Sequence, residues 1–219
     1  MQKKELKQII AGSTLLVVFI LYTISLGVID IAPIGPNESY VGYSTLNGVL
    51  HRLLGVNMIL YHITDWASLV PFFVVVCFAT LGLIQWIKRG NIKKVDANIL
   101  LLGAYYLLIF TVYIFFEFVV INRRPVLISG VLEASYPSST TMLVMCVMPS
   151  VITQAKTLFK RRATIRIVAT ISVLFEAFMV LGRVFSGVHW FTDILGGAIF
   201  SAGIFLIYNG VNNFLILKE

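Results

Sequence analysis

Arg183, His189 and Asp193 fall within one short stretch, Gly182-Arg183-Val184-Phe185-Ser186-Gly187-Val188-His189-Trp190-Phe191-Thr192-Asp193, flanked by two long apolar runs. Ionisable side chains in or beside such runs are costly and usually mark function. His189 and Asp193 are spaced by about one helical turn, so they can share a face, where a carboxylate holds an imidazole in one tautomer. The chemistry indicated is a histidine nucleophile or base, oriented by Asp193, with Arg183 clamping an anion. The alternative is an interfacial loop whose histidine is simply hydrogen-bonded and whose arginine sits at headgroup level.

A second stretch has complementary chemistry. Arg124-Pro125 is followed by Tyr136-Pro137-Ser138-Ser139-Thr140 at the start of another apolar run. Pro137 suits a helix start, where its missing N–H costs nothing. Ser138, Ser139 and Thr140 then place hydroxyls and free amides at a helix N-terminus, which favours anions by geometry and by dipole. Alone, this is an ordinary helix cap. With the forked guanidiniums of Arg124 and Arg183 it becomes a phosphate cradle beside a histidine.

These residues need a membrane scaffold to hold them. The chain has 219 residues, 58% hydrophobic and 12% charged, against roughly 25% charged in a soluble domain. Its apolar runs reach the roughly 20 residues that cross a bilayer as helix. They predict six spans, near 9–29, 67–87, 97–121, 140–159, 165–184 and 191–217, in one all-α domain covering 1–219. Between the first two lies an external segment whose Leu46, Val49, Leu50, Leu53, Leu54, Met58 and Ile59 recur at helical spacing. That pattern predicts an interfacial helix over 44–61, with His51, Arg52 and His62 on its wet face.

The net charge of +7 does not point to nucleic acid, because of where it lies. Lys3, Lys4, Lys7, Lys88, Arg89, Lys93, Lys94, Lys156, Lys160, Arg161, Arg162, Arg166 and Lys218 all fall on one side by span order. The positive-inside rule makes that side cytoplasmic, with both termini, and puts the phosphate cradle outside. The N-terminal apolar run is too long for a cleaved signal. Cys77 and Cys146 lie in spans and read as small buried hydrophobes, neither disulfide nor metal pair. Glu176, midway along span five, calls for a polar neighbour or a path through the bundle.

On these residues the chain resembles the type 2 phosphatidic acid phosphatase superfamily, membrane lipid phosphate phosphatases that share a fold with vanadium haloperoxidases. The family pattern SRxxxxxHxxxD matches at Arg183, His189 and Asp193, with Gly182 in the serine's place. KxxxxxxRP matches only at Arg124-Pro125, Glu117 standing where the lysine is expected. PSGH reads Pro137-Ser138-Ser139-Thr140. Motif order and the six-span layout also fit.

The resemblance implies a multi-pass plasma-membrane enzyme that works without cofactor or metal at the external face. His189 would attack phosphorus to form a phosphohistidine, oriented by Asp193, while Arg124, Arg183, Ser138 and Ser139 hold phosphoryl oxygens. In the family the histidine of PSGH protonates the leaving oxygen, and Thr140 is far too weakly acidic for that. Losing such an acid costs about 10² to 10⁴-fold for a poor leaving group. A phosphate leaving group, with a second pKa of roughly 6, needs little help. The expectation is therefore a preference for lipid or polyprenyl diphosphates over monophosphates, with the lipid substrate and membrane lipids as partners. Glu133 is a candidate substitute acid. Glu117 can pair with Arg123 or Arg124 if its helix continues two turns. Two other readings share these residues: a catalytically weak relative that binds, senses or transports a phospholipid, and a phosphotransferase using the same phosphohistidine.

Overall fold

The computed structural model describes residues 3–216, so Leu217 and Lys218, at the expected end of span six, lie outside it. Eight α-helices follow one another: α1 (Lys3–Leu26), α2 (Ser44–Leu54), α3 (Met58–Ala67), α4 (Leu69–Arg89), α5 (Ala97–Phe118), α6 (Ser139–Leu158), α7 (Arg162–Ser186) and α8 (Phe191–Ile216). Six segments are long and apolar enough to cross a membrane, with α3 and α4 together making one of them over Met58–Arg89.

The interfacial helix is shorter than the apolar pattern predicts. Its periodicity runs on to Ile59, but the backbone breaks after Leu54. Gly55 adopts φ 67°, and Asn57 caps α3 by accepting a hydrogen bond from Leu60 N–H. Met58 and Ile59 therefore belong to the helix that leads into span two. Asp30 fixes the start of α2 from a distance, accepting from the Ser44 hydroxyl at 2.9 Å and the Thr45 amide at 2.8 Å. His62 and Arg52 are exposed, as a wet face requires. His51 is not: it packs on the Trp190 ring at 5.4 Å, and burial holds its pKa below the usual imidazole value.

The core is built on α8. Helix α1 packs along it, and α6 and α5 close its other sides. The approach is close at Gly203, where an added Cβ would press on the Gly12 carbonyl at 3.1 Å and on Leu16 at 3.0 Å. Small residues at such crossings let helix backbones meet in lipid, where no hydrophobic drive separates one apolar face from another. Outward-facing Val, Ile, Leu and Phe side chains on α1, α4, α5 and α7 are exposed, as lipid-facing residues are. Cys146 is buried, whereas Cys77 is exposed on this outer surface, and both are free thiols. Glu176 lies half-buried near Cys146 with no hydrogen bond or ion pair among the described residues, so the expected polar partner is not found.

The ends of α5 and α7 and the starts of α6 and α8 meet at one end of the bundle. The basic loops Lys88–Lys94 and Lys156–Arg162 lie at the other. The segment linking α5 to α6 folds back on itself, with Arg123 bridged to Ala134 and Ile128 to Val131. Tyr136, just beyond, is buried and ties this finger to α1 through its hydroxyl, 2.6 Å from that of Thr23. Its ring sits among Phe19, Tyr22 and Phe116.

Candidate active site

His189 lies in the corner between α7 and α8, before the first turn of α8 rather than on it. Gly187 makes the corner. It ends α7 at φ 65°, a left-handed cap that favours glycine, and a side chain there would strike the Gly55 carbonyl. The amide of Asn57 donates to the Ser186 carbonyl at 2.9 Å, so the α2–α3 turn braces the corner.

His189 therefore does not share a helical face with Asp193, although the two side chains remain in contact. His189 Nδ1 is 3.1 Å from the Ser135 carbonyl and 3.8 Å from Asp193 Oδ2. A carbonyl only accepts, so Nδ1 carries the proton and Nε2 presents its lone pair. Arg124 Nη1 donates to that nitrogen at 3.0 Å. Burial, opposed by Asp193 and reinforced by the positive charges of Arg124 and Arg183, lowers the His189 pKa from 6.5 to about 4. The imidazole is neutral at physiological pH, and its unprotonated Nε2 is engaged by Arg124.

Asp193 acts mainly on its own helix. Its Oδ2 accepts from the Trp190 amide at 3.0 Å, the reciprocal arm of a capping box, and its Oδ1 accepts from Asn122 Nδ2 at 3.0 Å. It fixes the position of the residue after His189, and through that the ring. Asn47 completes the frame by donating to Thr192 Oγ1 at 2.9 Å.

The folded-back finger makes Arg124 and Glu133 neighbours: the Arg124 amide donates to the Glu133 carbonyl at 3.1 Å, and Nε donates to Glu133 Oε2 at 2.9 Å. The contact of Arg124 with Glu117 that a longer helix would allow is absent, because α5 stops at Phe118. Glu117 still faces the same small cleft, which Arg124, Ser135, Ser139, Tyr113 and His189 also line. Arg123 points away and donates to the Leu132 carbonyl at 3.0 Å.

Of the two serines expected to hold phosphoryl oxygens, only Ser139 faces this cleft. Ser138 is fully buried; its hydroxyl accepts from Thr141 at 3.0 Å and its amide donates to the Asp193 carbonyl. Thr140 accepts from Arg183 Nη2 at 2.7 Å, and the same nitrogen donates to Asp65 Oδ1 at 3.0 Å. Sequence reasoning missed Asp65, Ser135, Asn122 and Tyr61. The signal available for Asp65 was a carboxylate at the lip of an apolar span, which is rarely accidental.

Beside the cleft, a groove of about 930 Å³ runs between α4, α5 and α6. Asp65, Ser68, Tyr113, Ser139 and Thr140 form its polar mouth; Phe72, Phe78, Gly103, Leu107 and Trp86 lead along apolar walls to Ile92 and Val95. Groove and cleft share Tyr113, Ser139 and Met142. Ser68 and Trp86 bound α4 some 18 residues apart, about 27 Å at 1.5 Å per residue, nearly the thickness of the hydrocarbon layer. Among the described residues no group of three or more His, Cys, Asp or Glu is arranged to hold a metal ion.

No curated protein sequence matches this one. In fold, the chain is similar to a solved transmembrane PAP2 type phosphatidylglycerolphosphate phosphatase from Bacillus subtilis. The TM-score is 0.61 at 18% identity, covering 93% of this chain and 96% of that one. The sequence also matches the profile of the PAP2 superfamily over residues 68–215, which takes in the cleft and the groove apart from Asp65, but not Asn47 or Tyr61. The chain belongs to the PAP2 superfamily, a family of phosphatases, and the residues lining the cleft around His189 all fall within the matched segment.

Proposed function

We propose that this membrane protein removes the terminal phosphate from lipid diphosphates, polyprenyl diphosphates among them, through a phosphohistidine on His189. The observation that carries the reading is the unprotonated Nε2 of a neutral His189, which accepts from Arg124 Nη1 at 3.0 Å beside the polar mouth of an apolar groove. The lipid chain enters the groove, and the diphosphate replaces His189 as the acceptor for Arg124. Nε2 attacks the terminal phosphorus; the N–P bond forms as the bridging P–O bond breaks, and the lipid monophosphate leaves with its electron pair. Arg124, Arg183 and the first amides of α6 carry the charge that builds on the phosphoryl oxygens. Water then hydrolyses the phosphohistidine to orthophosphate.

Thr140 supports the choice of leaving group. It cannot act as an acid at neutral pH, and an alkoxide would lose about 10² to 10⁴-fold without one. Glu133 does not fill the gap, since its Oε2 is already engaged in accepting from Arg124 Nε at 2.9 Å. The basic loops at the far end of the bundle favour a site on the external face of the plasma membrane, with both termini cytoplasmic. A second reading, a weak relative that binds or moves a phospholipid, is favoured by the carboxylates of Glu117 and Glu133 around Arg124, which oppose an anion.

Single-turnover phosphate release by the purified protein, with His189→Ala as control, decides among these. Polyprenyl diphosphate should turn over faster than phosphatidic acid, with the variant inactive on both. Faster release from the monoester sinks the diphosphate preference, and no release from either lipid favours the binding protein.

A further inference from the structure

Arg183 is 1% exposed, and its surroundings are more elaborate than charge balance requires. A guanidinium has five N–H donors in one rigid plane. Nη2 spends both of its own, on Asp65 Oδ1 at 3.0 Å and Thr140 Oγ1 at 2.7 Å. The Tyr61 ring lies under the plane, 5.1 Å from Cζ, which fixes its tilt. Nε and Nη1 are buried and have no hydrogen-bond partner among the described residues. Buried donors left unmet are costly, so a site that keeps three of them is built for an acceptor.

We propose that Asp65 and Thr140 are positioning residues that lock the Nη2 end of Arg183 so that its Nε and Nη1 donors are aimed at the transferring phosphoryl group. Thr140 then has a present task in place of the acid that the family pattern expects there. Asp65 stands outside the three motifs, on α3. Both residues also line the groove mouth, so a lipid seated there lies against the pair that holds the arginine. A carboxylate that only neutralised Arg183 would not need Thr140 on the same nitrogen, nor would its loss disturb phosphoryl geometry. The proposal rests on the phosphoryl-transfer reading of the site, though not on which lipid is the substrate.

The test uses the full-length protein in detergent and two readouts: titration with orthovanadate, a mimic of five-coordinate phosphorus, and kcat and KM on a lipid diphosphate. Asp65→Ala and Thr140→Val should each weaken vanadate about 10-fold and lower kcat by a similar factor, with KM moved less than about threefold, the range for a lost hydrogen bond to a charged group. Thr140→Ser and Asp65→Asn, which keep an acceptor, should recover most of both. Wild-type vanadate affinity and kcat in Asp65→Ala and Thr140→Val overturn the proposal. So does a fall in melting temperature with vanadate affinity unchanged. Wild-type protein that binds vanadate in this pattern yet releases no phosphate from lipid upholds the positioning role while removing the hydrolase reading.

Discussion

Arg124 bridges Glu133 and His189: its Nε donates to the Glu133 carboxylate at 2.9 Å while its Nη1 reaches Nε2 of the imidazole at 3.0 Å. One side chain is thus held from behind and applied to the nucleophile in front. Glu133 is half-exposed, so its worth lies in geometry more than in charge. Glu133→Ala should lower kcat on lipid diphosphates about 10-fold, and Glu133→Gln, whose amide oxygen still accepts from Nε, should recover most of it. Equal losses in the two variants would instead mark Glu133 as a proton donor.

Glu117 shares the cleft but is exposed and makes no ion pair with Arg124. A lysine there would add attraction for an incoming phosphate, giving up only the hydrogen bond of Glu117 with Tyr113. Screening limits an exposed charge to a fraction of a kcal/mol up to about one. Glu117→Lys should lower KM by roughly two- to fivefold at low salt, with kcat little changed, and the gain should shrink as ionic strength rises. Steady-state kinetics at two salt concentrations check this.

The groove makes a size prediction. At Gly103 an added Cβ meets nothing within 4 Å, so a larger residue enters the groove without disturbing the helices. Gly103→Leu should cut kcat/KM for a long-chain polyprenyl diphosphate roughly 10-fold, as expected for displacing a couple of methylenes at about 0.8 kcal/mol each. A short, water-soluble prenyl diphosphate should be affected less than twofold. Equal effects on both would place the chain elsewhere.

His189 sets an acid limit. In the unfolded chain its imidazole takes a proton as pH falls through 6.5, but in the folded protein burial delays this to about pH 4. Between those values the unfolded state binds more protons, so stability declines as pH drops from about 6.5 to about 4, on the order of 3 kcal/mol in total. At neutral pH the group contributes nothing to this slope. Thermal unfolding of wild type and His189→Asn at pH 7.5 and 4.5 should show a smaller acid-side decline in the variant. Phosphohistidine formation should persist to about pH 5, since Nε2 stays unprotonated there.

How much of the site was legible depended on the range of the interaction. Arg124, Ser139, Thr140, Arg183 and His189 stand out as candidates because residue type and local spacing carry their chemistry, and the structure brings all five to one end of the bundle. Ser138 and Ser139 look alike in sequence at a helix start, and only tertiary packing decides that Ser138 is the one buried against Thr141 while Ser139 faces the cleft. The link between His189 and Asp193 was misread as a helical face, because a histidine just outside a helix has the same spacing as one inside it.

The amino-acid sequence alone determined the six apolar segments, their order and the clustering of basic residues on one side. Each follows from the free energy of moving side chains between water and hydrocarbon, a local property of composition. It also determined which residue types are available to hold a phosphate. Only the tertiary structure decided their pairing. Arg124 meets Glu133 because the finger folds back, His189 leans on the Ser135 carbonyl because Gly187 turns the corner, and Arg183 is shared by Asp65 and Thr140 because α3 and α6 both pack against α7. Such contacts join positions far apart in the chain, and no local preference records which partner a buried donor will find.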